Sequence, residues 1–260
     1  MNPTWTQISG AQLGVGKAGL KASGGDDVVV LYAPGVAAAV TTQSTAAAAP
    51  CRWTRSRVPG PIQAVVINAG NANAATGPDG ERHTEAMAQA VAKALDCPID
   101  EVLVCSTGVI GVPLPIAPVE RAISSASCAL GERTERAAAA ILTTDTTLKL
   151  SGKTIDDVSV AGFAKGSGMI HPNMATMLAF LVTDVDAPAE ALQGLLEATV
   201  EATFNAVTVD GDTSTNDTVI LQATGKGVSA PVGSPAWQAL TEALKDTCTE
   251  FKRFSISKTI

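Results

Sequence analysis

The chain has 260 residues, only 3% of them aromatic, and a formal net charge of −7. That length can bury a sizeable core in one large or two modest domains, and small aliphatic residues favour close-packed α/β layers. With no long basic stretch, the acidic balance argues against nucleic acid and anionic membrane surfaces as partners. The opening residues lack the apolar core of a secretory signal, and no apolar run approaches the ~18 residues of a spanning helix. Five scattered cysteines without a CxxC pair fit free thiols in a reducing cytosol. A cytoplasmic protein is expected.

In chain order, a strand is predicted over 28–33 and another over 63–68, running into the loop GNANAATG at 70–77. Residues 83–96 carry Met87, Val91 and Leu95 on one helical face, with Pro98 beyond as a stop. A buried strand over 101–105 ends at Ser106-Thr107-Gly108. Short helices are predicted over 118–130 and 133–142, split by Gly131. Residues 158–164 and 177–182 read as strands flanking the glycine-broken segment between them. A helix over 188–204, with Pro188 in its first turn, precedes the polar loop VDGDTSTND, a strand over 219–222 and an amphipathic helix over 236–249. No periodic repeat is present, and only 41–50 is mildly low in complexity.

Thr176 stands where the segment KGSGMIHPNMATML (165–178) meets the apolar run 177–182. A threonine hydroxyl is a weak nucleophile unless a base lies within reach, and a free N-terminal amine on the same residue can be that base. Its ordinary pKa, about 7.7 to 8.0, lies near working pH. Inside a chain the amine must be made: Thr176 attacks the carbonyl of Ala175, the acyl group moves to oxygen, and water cleaves the ester. Gly166, Gly168 and Pro172 are residue types that hold unusual backbone geometry. Read otherwise, Thr176 simply begins a strand.

These segments resemble the ornithine acetyltransferase family, the bifunctional glutamate N-acetyltransferases of arginine biosynthesis. KGSGMIHPNMATML is similar to its cleavage and nucleophile segment, and CSTGVIGVPLP (105–115) to its oxyanion segment. LTTDT (142–146) is similar to a substrate-contact segment. FNAVTVDGDTSTNDTV (204–219) and GNANAATG also fit, so the resemblance covers roughly residues 5–250. It implies a layered αββα-type sandwich like that of N-terminal-nucleophile enzymes, with cleavage between Ala175 and Thr176. The resulting α part (1–175) and β part (176–250) would stay together, as α2β2 in the full-length family. Thr176 would take acetyl from N-acetylornithine and pass it to glutamate, with Thr107 and Gly108 as oxyanion hole. Lys165 and Thr146 would bind substrate with Thr176, Thr144 being the alternative register.

Without the resemblance, Ser106-Thr107-Gly108 reads as a strand-ending turn, Lys165 as a solvated loop lysine and LTTDT as a helix end. No cofactor or metal is implied, although acetyl-CoA is a possible second acetyl donor. The family also continues beyond residue 260 into a second domain with further substrate-binding residues. The chain therefore reads as C-terminally truncated, with an atypical tail over 251–260 and weak or absent acetyl transfer expected. An N-terminal-threonine amidohydrolase or aminopeptidase, and an inactive binding or structural fragment, are the competing readings.

Other motifs carry less. Gly14, Gly16 and Gly19 match G-x-G-x-x-G, but no strand is evident before them and no acid lies about twenty residues on. Asp210, Asp212, Ser214 and Asn216 imitate a calcium loop, yet Thr215 replaces its glycine and Leu221 its glutamate. His83 and His171, without a paired carboxylate in view, give a Ser-His-Asp triad little support; His171 is expected to shape its loop.

Overall fold

The computed structural model describes residues 2–145, 147–166, 177–206 and 214–256, without the side chains of 255 and 256. The strands are β1 (Gln12–Gly16), β2 (Val28–Thr41), β3 (Gly60–Asn71), β4 (Val102–Val109), β5 (Lys149–Ile155), β6 (Val158–Lys165), β7 (Leu178–Thr183) and β8 (Thr218–Ala223). The helices are α1 (Ala49–Arg55), α2 (Pro78–Leu95), α3 (Ile116–Cys128), α4 (Thr134–Ile141), α5 (Ala189–Ala202) and α6 (Pro235–Ile256). Among the described residues the strands join in one sheet ordered β4-β3-β2-β8-β7-β6-β5, with β1 beside the first half of β2. β3 with β4 and β7 with β8 are parallel, and the other pairs antiparallel.

Strand β2 explains how one sheet makes two layers. Its first half pairs with β1 and its second with β8, with an irregularity between Tyr32 and Gly35 where the strand passes β3. Such bulges bend and twist a strand. Alternation sends Val28 and Val30 outward to α2 and α3, and Val29 and Leu31 inward. Beyond the irregularity Ala37 and Ala39 still face inward, while Ala38 joins the cluster under α5 and α6. The inner cluster gathers Leu103 of β4 and Phe163 of β6, from opposite arms of the sheet, around Trp5. Trp5 meets Phe163 edge-on at 5.8 Å between ring centroids. Folding the sheet over this cluster, with α2 and α3 outside one arm and α5 and α6 outside the other, gives the expected αββα layering.

Elements run past the bounds drawn from sequence. β2 continues eight residues beyond Ala33 to Thr41. Ser106, Thr107 and Gly108, expected as a turn, continue β4 as far as Val109. α2 starts at Pro78, in a first turn with Asp79 and Glu81, and Pro188 caps α5 from just outside it. α6 crosses the division placed at 250: Leu240, Leu244, Cys248 and Phe251 form one buried stripe, and Phe251 is fully enclosed. Residues 251–256 therefore continue the last helix, with Phe251 in its core. No helix among the described residues is long and apolar enough to cross a membrane.

Three elements were not foreseen: β1, α1 and β5. α1 lies along the outer edge of β4. Its Trp53 Nε1 donates to Val102 O at 2.9 Å, and its Thr54 hydroxyl donates to Val104 O at 2.8 Å. Val104 N–H donates back to Thr54 Oγ1 at 3.2 Å, so side chains satisfy the strand edge that carries the site.

Candidate active site

The parallel strands β3 and β4 end side by side, with Gly70 opposite Gly108. Gly108 has φ +136°, and a Cβ there would overlap the carbonyl carbon of Gly70. Only glycine allows so close an approach in that conformation. Thr107 is thus fixed at a strand end facing a cleft of about 860 Å³, whose walls include Lys21, Gly70, Thr107, Gly108, Thr143 and Lys165.

Lys165, the last residue of β6, is only 3% exposed. Its ammonium donates to Thr107 Oγ1 at 2.9 Å and to Thr143 Oγ1 at 3.0 Å, bridging β6, β4 and the segment after α4. Burial pushes the Lys165 pKa down, the charges of Asp145 and Asp217 raise it, and Lys149 and Lys21 add to the lowering. It is a buried bridge rather than a solvated loop lysine.

The described residues on either side of 167–176 are anchored. Gly166 N–H donates to Asp145 Oδ1 at 3.0 Å, and Lys149 Nζ donates to Gly166 O. Asp145 and Lys149 form an almost wholly buried ion pair at 3.0 Å. On the other side, Met177 N–H donates to Asp217 Oδ1 at 3.1 Å, and Thr218 N–H donates to Met177 O at 3.0 Å. Burial raises the Asp217 carboxyl to about 7 against the Met177 amide, Ser214 and the charge of Lys165, which all favour its ionised form. Ala175, Thr176, Thr146, His171, Pro172, Gly168, Asp210 and Asp212 lie outside the described residues.

Asparagines join the loops at this end of the molecule. Asn216 Nδ2 donates to Ala72 O at 2.7 Å and to Ser106 O at 3.0 Å, tying the GNANAATG loop to β4. Ser106 Oγ donates to Asn68 Oδ1, and Asn68 Nδ2 donates to Asn71 O. These side chains do for irregular backbone what a ladder does for strands.

Sequence reasoning brought Thr107, Gly108 and Lys165 together, and the structure places all three on this cleft; Thr144 also lines it. It missed Thr143, Lys21, Asp27 and any role for Asp217. Asp27 is fully buried and accepts the N–H groups of Ala18 at 2.6 Å and Leu20 at 2.5 Å, which shapes the loop after β1. The glycines of G-x-G-x-x-G serve packing: a Cβ on Gly16 would lie 2.5 Å from Ala122 O, and one on Gly14 would overlap Ala126 O. β1 needs them to lie against α3. The acidic pair Asp26-Asp27 set directly against the apolar run 28–31 was the available signal for Asp27.

The sequence profile of the ArgJ family matches residues 12–256. The arginine biosynthesis bifunctional protein ArgJ of Thermus thermophilus is 46% identical over 227 residues, covering 86% of this chain and 59% of that protein. Its counterpart from Brucella suis is 42% identical over 261 residues, covering 96% of this chain and 62% of that one. The crystal structure of ornithine acetyltransferase from Mycobacterium tuberculosis, complexed with ornithine, matches with TM-score 0.62 and 35% identity. That match covers 67% of this chain and 96% of the other. The chain spans 59% and 62% of the lengths of these two ArgJ relatives.

Proposed function

The chain belongs to the ArgJ family, and from that premise we propose that it serves acetyl transfer from N-acetylornithine to glutamate through an acetyl-threonine intermediate. One observation carries the reading. Lys165, from the segment that leads to Thr176, and Thr107, from the family's oxyanion segment, meet at 2.9 Å on the wall of one cleft.

In this reading Thr176 Oγ attacks the Ala175 carbonyl, the Ala175–Thr176 amide becomes an ester, and water releases two fragments. The freed amine of Thr176 then removes the hydroxyl proton as Oγ attacks the acetyl carbonyl of N-acetylornithine. Thr107 and Gly108 stabilise the oxyanion; losing one such donor typically costs about 10²–10³ in rate. The tetrahedral adduct collapses, the ornithine nitrogen leaves with the proton, and acetyl remains on Thr176. Glutamate nitrogen attacks that ester, its proton passes through the Thr176 amine to Oγ as the C–O bond breaks, and N-acetylglutamate departs. Lys165 holds the α-carboxylate of each amino acid, and Thr146 or Thr144 contributes a hydroxyl.

The fragments would stay joined after cleavage. β6 of the first pairs with β7 of the second, and β2 with β8, inside shared apolar clusters. Association of two such pairs as α2β2, acetyl-CoA as a further donor, and a cytoplasmic location belong to the same proposal. The unpaired state of the five cysteines supports that location.

Incubation with N-acetylornithine tests the reading. One acetyl group should appear on the fragment that starts at Thr176 and move on to added glutamate. Release of acetate instead would make the protein a hydrolase, and no labelling would remove the transferase reading.

A further inference from the structure

The cleft is cationic in an acidic protein. Two lysines, Lys21 and Lys165, and no carboxylate line it among the described residues, although the chain carries a net charge of −7. Their ammonium groups are near enough for Lys21 to lower the pKa of Lys165. The carboxylates that offset them, Asp145 and Asp217 for Lys165 and Asp27 and Asp26 for Lys21, are not among the described residues that line the cleft, so an anion entering it meets both ammonium groups directly.

Lys21 is also placed firmly. Its backbone N–H and those of Ala18 and Leu20 point at the buried Asp27 carboxylate, at 3.4, 2.6 and 2.5 Å. Its ammonium donates to Ala140 O at 2.6 Å and Ala139 O at 3.3 Å, carbonyls of the last turn of α4. Those contacts use two of its three donors. Burial lowers its pKa, against the raising influence of Asp27 and Asp26. Lys165 likewise spends two donors, on Thr107 and Thr143. Each lysine keeps one donor, and Leu20, Val109 and Leu142 supply apolar wall around them.

We propose that Lys21 is a specificity-determining residue that receives the side-chain carboxylate of the acidic amino-acid acceptor, while Lys165 receives its α-carboxylate. This rests on the acetyl-transfer reading for the identity of the two ligands. Glutamate carries two carboxylates and matches two cations. Ornithine carries one carboxylate and a terminal ammonium, which the same Lys21 repels. The charge at position 21 therefore discriminates between the amino acid that leaves and the one that enters, favouring release of ornithine and entry of glutamate.

Equilibrium binding to the full chain, measured by calorimetry without any acetyl donor, tests this apart from catalysis. Lys21→Gln should weaken glutamate about tenfold and leave ornithine as tight or tighter, because one charge acts on the two ligands with opposite sign. Lys21→Arg should restore the preference for glutamate. Equal weakening of both ligands would assign Lys21 to holding α4 and overturn the proposal, as would no change in either. The unmodified protein supplies a second measurement should the variant not fold. It should bind glutamine about tenfold more weakly than glutamate, and equal affinities, or binding of neither, would also overturn it. Failure of acetyl labelling with this binding pattern intact would count against the transfer chemistry alone.

Discussion

Lys165 Nζ donates to Thr107 Oγ1 at 2.9 Å, closing a bridge between the ends of β6 and β4, strands on opposite arms of the folded sheet. Neither residue is near the other in sequence, and the contact exists only because the sheet turns over its inner cluster. The bridge sets a cation, a hydroxyl and a strand-end glycine along one wall of the cleft.

Replacing Lys165 by methionine keeps the length of the side chain and removes the charge. Glutamate affinity should fall at least about thirtyfold, as expected when one partner of a desolvated charged contact is lost. Urea unfolding should show a much smaller change, because an apolar chain replaces a buried ammonium at little cost. Calorimetry and chemical denaturation on the same sample separate the two effects.

Gly108→Ala should damage both fold and site. The φ of +136° costs a side chain about 1–3 kcal/mol, before the overlap with Gly70 is counted. The denaturation midpoint should drop, and acetyl labelling should fall further than the loss of folded protein explains. An alanine variant with unchanged midpoint and labelling would contradict the close β3–β4 approach.

Asp217 gives the protein a pH signature. Its carboxyl is raised from 3.8 to about 7, so between about pH 4 and 7 the folded chain keeps a proton that the unfolded chain has released. Its contribution to stability is full below about pH 4, declines as pH rises towards 7 and then levels off, a loss of at most about 4 kcal/mol. Asp217→Asn retains an oxygen for the Met177 amide and cannot ionise. Its urea stability should change less between pH 5 and pH 8 than that of the unmodified chain; identical slopes would remove Asp217 as the source.

Phe251→Ala tests whether the end of α6 belongs to the core. The side chain is fully buried beneath the β5–β6 arm, so its removal should cost about 3–5 kcal/mol. A loss under about 1 kcal/mol would mean that this turn of the helix packs loosely.

Long apolar segments were legible: residues 63–68, 101–105 and 158–164 alternate or run apolar enough to be read as strands, and each lies inside one except for Glu101, which ends the short 3-10 turn before β4. β1 was not, because Gly14 and Gly16 erase its strand signal for the sake of contact with α3. α1 spans seven residues and begins in alanine-rich sequence, too short for a helical stripe. β5 is an edge strand with Lys149 and Lys153 in it, a composition that suits an edge and hides a strand. At the site, Thr107, Gly108 and Lys165 were found through family motifs. Lys21, Asp27 and Thr143 act through partners that only the folded sheet brings near, as when Lys21 reaches α4 across 119 positions of sequence. No local spacing announces such a contact.

Acetyl transfer through Thr176 requires that Thr176 become an N-terminal residue. Denaturing mass spectrometry of the purified protein measures this directly: two fragments divided between Ala175 and Thr176 are predicted, and Thr176→Ala should give one intact chain. A single uncut mass for the unmodified protein, or cleavage that persists in the alanine variant, would contradict it.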